Sequence, residues 1–265
     1  MKKAIISDIH ANLEALEAVL EDIDKRGIKE IICCGDIIGY GPDPNMCLKT
    51  VRRRGIKSVI GNHDYLVLSR KNFEEHQYRI SPRLQPMFRW TDYRLSEEEK
   101  DYLKNLPYLL EFDDFLVSHG SAADDELEHF MYIESTDLID ERLDKNFEKL
   151  KQKGKKILFY GHRHKPRMFT DKKLSITDSI RRDDKQQVVE IKFRVIPDLY
   201  YLVNVGSVGQ PRDKDPRACY TVYDGDFISL VRLDYDFKKT QEKLRATDAP
   251  EFLREFLANR LELGK

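Results

Sequence analysis

The stretch Ala4-Ile5-Ile6-Ser7-Asp8-Ile9-His10 near the start of the chain decides the fold. Its apolar residues, rich in β-branched side chains, predict a buried strand that ends just before an aspartate and a histidine. Four later apolar runs are followed in the same way by polar residues. These are Gly35-Asp36, Gly61-Asn62-His63-Asp64, His119-Gly120 and Gly161-His162-Arg163-His164. Catalytic groups gather at the carboxyl ends of strands in α/β sheets, so we expect all these segments to meet in one pocket.

Helices alternate with the first strands. An amphipathic helix is predicted from Asn12, as N-cap, to Gly27, and a second from Pro44 to Arg54. Strands are predicted at Ile31 to Cys34 and at Val59-Ile60. This βαβ order predicts parallel pairing.

The whole chain, residues 1–265, is predicted as one domain. After the βαβ part we expect a helical region from Asp64 to Pro107, with a capping box at Ser96 and Glu99, and then a hairpin of strands 108–112 and 115–118. A helix near 135–153 and a strand at 157–160 follow. The part from 167 to 236 is predicted to be rich in strands, with an exposed polar connection at 181–187, and a C-terminal helical extension covers about 237–263.

Composition excludes several classes of protein. Lysine and arginine total 46 against 47 aspartates and glutamates, and this balance is unlike that of a dedicated nucleic-acid binder. No apolar run is long enough for a signal-peptide core or a membrane span, so we expect a cytoplasmic protein with no membrane partner. The four cysteines (Cys33, Cys34, Cys47 and Cys219) lack metal-ligand spacing and are interpreted as reduced.

The polar segments carry the ligands of a metal site. Asp8 and His10 are two positions apart, so in an extended segment they point to the same side and can bind one ion, and the same argument applies to His162 and His164. Asp36 is a carboxylate that could bridge two ions. With Asn62 and His119 there are seven candidate ligands, enough for two metals. Oxygen and imidazole donors without thiolate suit Mn²⁺, Fe, Zn²⁺ or Co²⁺.

Two such ions favour phosphate-ester hydrolysis. Ions about 3.5–4 Å apart can lower the pKa of a shared water, hold it for in-line attack and clamp the phosphoryl oxygens. His63 is placed to protonate the leaving oxygen, and Asp64 is predicted to orient that imidazole and to raise its pKa. Five of the seven histidines lie in the polar segments, and the other two, His76 and His129, are interpreted as ordinary surface or packing residues.

The motifs, in this order, resemble those of the calcineurin-like metallophosphoesterase superfamily from Ala4 to about Asp236. The most similar members are the compact prokaryotic predicted phosphodiesterases, judged by residues 7–12, 35–42, 61–64 and 204–212. The resemblance implies a four-layer α/β/β/α sandwich of two mixed β-sheets. It also implies two divalent transition-metal ions, with Mn first and Fe, Zn, Co or Ni as the other candidates.

The resemblance implies roles for single residues as well. One ion would be held by Asp8, His10, Asp36 and His164. The second would be held by Asp36, Asn62, His119 and His162, with Asp36 as the bridge. His63 would protonate the leaving group.

Substrate contacts are predicted at Tyr40, Arg163 and Arg212, because a ring and guanidinium groups suit a small phosphorylated or nucleotide-type substrate. The glycines that flank Tyr40, and likewise Gly206-Ser207, serve either the substrate or only a turn.

Two alternatives to a phosphodiesterase or nucleotide-type phosphatase remain. One is a non-catalytic interaction scaffold, since the same fold serves that way in a retromer subunit. The presence of all seven ligands and of His63 speaks against it. The other is a nuclease, against which the near-neutral charge speaks. The sequence leaves the oligomeric state open.

Overall fold

Twelve strands form two sheets in the part of the chain that the structure describes. The structure is a computed structural model and describes residues 1–68, 71, 74, 81–122, 130, 133, 139–172, 175–176 and 188–265. In chain order the strands are β1 Lys3–Ile6, β2 Glu30–Cys33, β3 Lys57–Ser58, β4 Leu109–Glu111, β5 Phe115–Ser118, β6 Ile157–Tyr160, β7 Arg167–Thr170, β8 Ser175–Ile176, β9 Val188–Arg194, β10 Tyr201–Asn204, β11 Ala218–Tyr223 and β12 Phe227–Leu233.

The helices lie between and after these strands. In chain order they are α1 Leu13–Lys25, α2 Pro44–Arg53, α3 Asn62–Leu66, α4 Gln85–Arg94, α5 Glu97–Lys104, α6 Ile139–Lys153, α7 Phe237–Ala246 and α8 Glu251–Leu263. The predicted caps are confirmed. The Asn12 side chain accepts a hydrogen bond from the Ala15 amide, and Ser96 and Glu99 form the capping box.

Both sheets are mixed, as predicted. The first has the strand order β3-β2-β1-β11-β12-β9 and the second has the order β4-β5-β6-β10-β7-β8. β1 runs parallel to β2 and antiparallel to β11, while β6 runs parallel to both β5 and β10. The βαβ units in the first part of the chain therefore pair in parallel, and antiparallel strands complete each sheet.

Alternating side chains of the strands build the layers. In β1, Ala4 and Ile6 pack with α1 and α2, whereas Ile5 points into the core between the two sheets. In β6, Phe159 joins this central core while Leu158 packs with α6 on the outer side. Because both faces of each sheet are covered, central strands such as β5 and β6 are apolar at nearly every position. The layer order is helix, sheet, sheet, helix, which confirms the predicted α/β/β/α sandwich.

Some predicted boundaries differ from the structure. β3 ends at Ser58, although Val59-Ile60 was predicted as the strand, because the Ile60 amide leaves the β2 ladder and donates to the Pro107 carbonyl oxygen at 2.9 Å. The start predicted for α6, the 181–187 connection, His76 and His129 lie outside the described residues. The predicted C-terminal helices are present as α7 and α8. No helix among the described residues is long and apolar enough to span a membrane.

Candidate metal centre

Seven side chains converge at one edge of the sandwich, each from a loop that follows a strand. The loops after β1, β2, β3, β5 and β6 carry them. We call this set the imidazole–carboxylate cluster; it consists of Asp8, His10, Asp36, Asn62, His119, His162 and His164. The side chains of its aspartates and histidines are at least nine-tenths buried. The structure therefore brings together all the residues predicted as ligands.

The backbone of the cluster is unusual. Positive φ angles occur at Asp8 (52°), His10 (49°), Asp36 (56°), His162 (65°) and His164 (59°). Left-handed backbone costs free energy in non-glycine residues and concentrates at functional sites. The argument that Asp8 and His10 share a face because their segment is extended is therefore wrong, although both side chains do reach the cluster. Tight left-handed turns aim them instead.

The first group of the cluster consists of Asp8, His10, Asp36 and His164. Nε2 of His10 lies 3.1 Å from Nε2 of His164 and 3.6 Å from Oδ2 of Asp36. Nε2 of His164 lies 3.2 Å from Oδ1 of Asp8. Two imidazole nitrogens and two carboxylates thus face one small volume.

The second group consists of Asp36, His119 and His162, with Asn62 beside them. Nε2 of His119 lies 3.0 Å from Nδ1 of His162, 2.9 Å from Oδ1 of Asn62 and 3.3 Å from Oδ2 of Asp36. His162 and His164 therefore belong to different groups, so the interpretation that this pair binds one ion is wrong. Asp36 is the member that both groups share.

Hydrogen bonds of Nδ1 in three of the imidazoles fix the direction in which Nε2 of the same ring points. Nδ1 of His10, His119 and His164 lies 3.2, 2.7 and 2.6 Å from the carbonyl oxygens of Ile38, Cys34 and Gln210. A carbonyl oxygen only accepts, so each Nδ1 carries the hydrogen and donates it. Each neutral ring then presents the lone pair of Nε2 to the cluster, which is the usual arrangement around a metal.

This arrangement fits cations. Between His10 and His164 two Nε2 lone pairs face each other at 3.1 Å and repel unless a proton or a cation lies between them. Among the described residues the buried Oδ2 of Asp36 has no hydrogen-bond donor while the His119 ring is neutral, and Oδ1 accepts from the His63 amide at 2.8 Å. A buried carboxylate oxygen without a donor is costly. Two ions, one in each group, would satisfy these atoms.

Burial and the charges of neighbouring side chains shift the pKa values of several residues of the cluster. Burial alone would raise the pKa of Asp36, but the imidazoles around it, His119 first, hold it well below its usual range. Burial lowers the pKa of His119, yet the charge and hydrogen bond of Asp36 outweigh burial and raise it to about 9. Burial, together with neighbouring positive charges, keeps the pKa of His162 and His164 well below the usual value. A metal ion would displace the proton of His119, because ligand imidazoles are neutral.

The hydrogen-bond partners of Asp64 differ from the predicted partner, the His63 ring. Its buried carboxylate accepts hydrogen bonds from the backbone amides of Gly61 (3.0 Å), Ile37 (3.0 Å) and Ile38 (3.2 Å). It therefore joins the loop after β3 to the loop after β2, and among the described residues its oxygens bond to backbone amides and not to the His63 ring. A direct hydrogen bond by which Asp64 would orient His63 is thus absent from the described residues, and an effect of Asp64 on the pKa of His63 stays a prediction. Burial and the nearby Asp36 charge raise the pKa of Asp64 itself to about 7.

His63 lies beside the cluster and is held by packing. Its ring centroid is 4.3 Å from that of Tyr40, 4.7 Å from that of His10 and 4.8 Å from that of Phe88. Its Nδ1 is buried and makes no hydrogen bond within the described residues. Burial lowers the pKa of His63, against the opposing charge of Asp36.

Two of the three predicted substrate contacts lie next to the cluster. The Tyr40 ring centroid is 4.6 Å from that of His10, and the Tyr40 hydroxyl accepts a hydrogen bond from Arg212 at 3.2 Å. Arg212 also lowers the pKa of His63, His162 and His164 through its charge, which places its guanidinium near them. Arg163 is half-buried in the turn between His162 and His164.

The Gly39–Gly41 turn serves packing. The Gly41 amide donates to the carbonyl oxygen of His10 at 2.9 Å, so this amide is not available to a phosphate. A Cβ at Gly39, which has a φ of 94°, would collide with the His63 ring. The interpretation of these glycines as turn-forming residues is the one that the contacts support.

Comparison with known proteins agrees with this geometry. The family model of the calcineurin-like phosphoesterase superfamily domain matches residues 1–226. The chain belongs to this superfamily.

Relatives of this superfamily member are similar along their whole length. An uncharacterised protein of Methanocaldococcus jannaschii is 36% identical over 269 residues, which cover 99% of this chain and 98% of the relative. The crystal structure of a metallophosphoesterase from Sphaerobacter thermophilus is 31% identical, covers 100% of both chains and superposes with a TM-score of 0.80. A hypothetical protein of Pyrococcus horikoshii, at 18% identity and 97% coverage of both chains, shares the fold with a TM-score of 0.72.

Polar residues at the end of β10 and in the loop after it hold the loops that carry the cluster in this phosphoesterase superfamily member, a role that the sequence did not indicate. Asn204 donates to the carbonyl oxygen of Gly161 at 2.7 Å. The Ser207 hydroxyl donates to the carbonyl oxygen of Asp8 at 2.9 Å and accepts from the Gln210 amide at 2.8 Å. Ser207 therefore supports the Asp8 loop and does not face substrate. Residues 204–212 were part of the family resemblance, but only the fold shows which backbone atoms their side chains contact.

Proposed function

We propose that this protein hydrolyses phosphate esters with two divalent transition-metal ions, as a phosphodiesterase or a nucleotide-type phosphatase. The observation that carries the proposal is the pair of ligand groups that share Asp36, each with imidazole lone pairs directed at one small volume. The superfamily membership and the similarity to a bacterial metallophosphoesterase support it.

The ligand roles follow from the two groups. Asp8, His10, Asp36 and His164 would hold one ion, and Asp36, Asn62, His119 and His162 would hold the other. Two ions in these positions would supply a nucleophilic water at neutral pH and Lewis acidity toward the phosphoryl oxygens. Mn²⁺ is our first choice, because the donors are carboxylate, imidazole and amide without thiolate, and Fe, Zn²⁺, Co²⁺ and Ni²⁺ are the other candidates.

His63 would protonate the leaving oxygen. Packing against Tyr40 and Phe88 holds the ring beside the cluster without occupying Nδ1. In the free protein burial favours the neutral imidazole. A bound phosphate ester brings negative charge close to the ring, which raises the pKa of His63 and favours its protonated form.

Tyr40, Arg163 and Arg212 would bind the substrate. The charge of Arg212 acts on His63 and His162, and its guanidinium would neutralise a phosphoryl oxygen or a neighbouring group of the ester. Arg163, in the turn between two proposed ligands, would reach the same space from the other side of the cluster. A small phosphorylated or nucleotide-type substrate and a cytoplasmic location stay predictions from the sequence.

The test is metal reconstitution. Protein stripped of metal is assayed with Mn²⁺, Zn²⁺, Mg²⁺ or no metal on 4-nitrophenyl phosphate and bis(4-nitrophenyl) phosphate, with bound metal counted in each sample. We expect turnover that requires a transition metal and is abolished by a chelator, and the ratio of diester to monoester turnover then narrows the substrate. Two bound ions without turnover on either ester would contradict the hydrolase and favour the scaffold.

A further inference from the structure

The C-terminal helices pack against the side of the cluster that carries Tyr40. One apolar cluster joins α4, α7 and α8 to Tyr40; its buried members are Tyr40, Met87, Trp90, Leu244, Ala249, Leu253, Leu257, Ala258 and Leu261. A cavity of about 10 Å³, room for about one water, lies between these helices and the cluster. Leu257 and Leu261 of α8 line it together with His10, Tyr40 and Gln210. The last helix of the chain is therefore part of the wall of the proposed active site.

The end of α8 is attached to the loop that carries Arg212. The Lys214 amide donates to the Gly264 carbonyl oxygen at 2.8 Å. Gly264 terminates the helix with a φ of 57°, and a Cβ there would lie 2.6 Å from the amide nitrogen of Asp215, so only glycine fits. This contact fixes the last turn of α8 beside the Arg212 loop.

Arg260 occupies that last turn. It follows Leu257 by three positions and precedes Leu261, so it lies on the helix face that turns toward Tyr40. Its guanidinium lies 5.3 Å from the centroid of the Phe256 ring, and the Arg83 guanidinium lies 4.2 Å from the same centroid. Burial and the positive charge of Arg212 lower the pKa of Arg260, while Tyr40 raises it. Together with the hydrogen bond between Lys214 and Gly264, these effects place Arg260 near Arg212 and Tyr40.

The positive charges of Arg212 and Arg260 repel each other unless a negative charge lies between them. Among the described residues the Arg260 guanidinium makes no ion pair and no hydrogen bond, and it lies over the Phe256 ring. Arg217 and Arg245, by contrast, are paired, with Asp215 at 2.7 Å and with Glu255 at 3.1 Å. A cation in the last turn of a helix is favourable in itself, but that effect does not explain why it lies against a second guanidinium.

We propose that Arg260, with Arg212 and Tyr40, forms a subsite for a second anionic group of the substrate, apart from the phosphoryl group that is cleaved. We call these three residues the arginine edge. The proposal rests on the proposed function and narrows its substrate class to phosphate esters that carry a further phosphate, such as nucleoside bisphosphates and dinucleotides. Guanidinium groups bind phosphate through paired N–H donors, and Arg260, which has no ion pair or hydrogen bond among the described residues, retains these donors.

The first arm of the test compares two esters that share the same scissile group and differ only in a second phosphate. Thymidine 5′-(4-nitrophenyl phosphate) is assayed with and without an added 3′-phosphate, on the wild-type protein, Arg260→Gln and Arg89→Gln. Arg89 is exposed on α4, so its variant repeats the charge change away from the site. We expect Arg260→Gln to lower kcat/KM about tenfold or more only for the ester with the 3′-phosphate, the size of one charge-assisted contact. Equal losses on both esters, or no loss, would overturn the proposal.

The second arm does not need turnover. Calorimetry measures the binding of propylphosphonate and propane-1,3-diylbisphosphonate, whose P–C bonds an esterase does not cleave, to the Mn²⁺-loaded wild-type protein and to both variants. We expect the bisphosphonate to bind the wild-type protein about tenfold more tightly, and Arg260→Gln to remove this preference while Arg89→Gln keeps it. Equal affinities in the wild-type protein would reject the subsite even if esters are hydrolysed. A preference without any hydrolysis would keep the subsite and reject the proposed function.

Discussion

The imidazole–carboxylate cluster and the arginine edge are neighbours, yet the chain builds them in different ways. Each member of the cluster lies within a few residues of a strand end, and backbone hydrogen bonds fix its loop. The arginine edge takes Tyr40 from one loop, Arg212 from another loop 172 positions later, and Arg260 from the last helix. Local turns after the strands therefore position the imidazole–carboxylate cluster, whereas packing between distant segments positions the arginine edge. We therefore expect substitutions in the cluster to abolish the reaction and those at the edge to change substrate preference.

The largest effect is expected for Asp36→Asn. A neutral amide is a poor bridge between two cations, so the metal content should fall and kcat should drop by about 10³-fold or more. Metal analysis and steady-state kinetics measure both. Asp24→Asn, which removes a surface carboxylate paired with Arg54, is the matched control. Full occupancy of both ions in Asp36→Asn would contradict the bridging role.

A smaller loss is expected for His63→Ala, because this side chain would donate a proton without holding a metal. The metal content should equal that of the wild-type protein, while kcat on an alkyl phosphate ester should fall by about 10²–10⁴-fold. The loss on a 4-nitrophenyl ester should be smaller, because nitrophenolate leaves without protonation. Equal losses on the two esters would remove His63 from this role.

Asp64→Asn separates stability from catalysis inside the cluster region. In the wild-type protein a carboxylate oxygen of Asp64 accepts a hydrogen bond from the Gly61 amide. The variant places an N–H₂ group there, so two hydrogen-bond donors would face each other. We expect the free energy of unfolding in urea to fall by about 2 kcal/mol. The surface variant Asp24→Asn should change it by less than about 0.5 kcal/mol. Unchanged stability together with a kinetic defect like that of His63→Ala would support a role of Asp64 in orienting His63.

The smallest effect is expected at the arginine edge. Tyr40→Phe keeps the ring that packs on His10 and His63 but removes the hydroxyl that accepts from Arg212. The loss of one hydrogen bond of about 1 kcal/mol should raise KM about fivefold and leave kcat unchanged. Tyr93→Phe, at a side chain that is 88% exposed, should change neither constant. A large fall in kcat for Tyr40→Phe would mean that the edge takes part in the reaction step, contrary to its proposed role.

Local sequence was sufficient for the strands, most helix ends and the list of candidate ligands. An apolar run such as Ile157–Tyr160 can only be a buried strand in this context, and the polar residues that follow it must then lie at the sheet edge. Capping at Asn12 and at Ser96 is equally local, because a side chain there satisfies an amide three positions along the chain. These features depend on neighbours within a few residues, which is why a linear reading finds them.

The remaining features depend on tertiary structure. The left-handed turns at Asp8 and His162 and the amides bound by Asp64 arise where loops from different strands approach one another. Arg260 was not a candidate in the sequence, because nothing near it indicates a ligand. Its position beside Arg212 arises only when Gly264 packs against Asp215. The sequence by itself determined which chemistry the chain carries, and long-range packing determined which groups face one another, because contacts between distant segments leave no periodic signal in the chain.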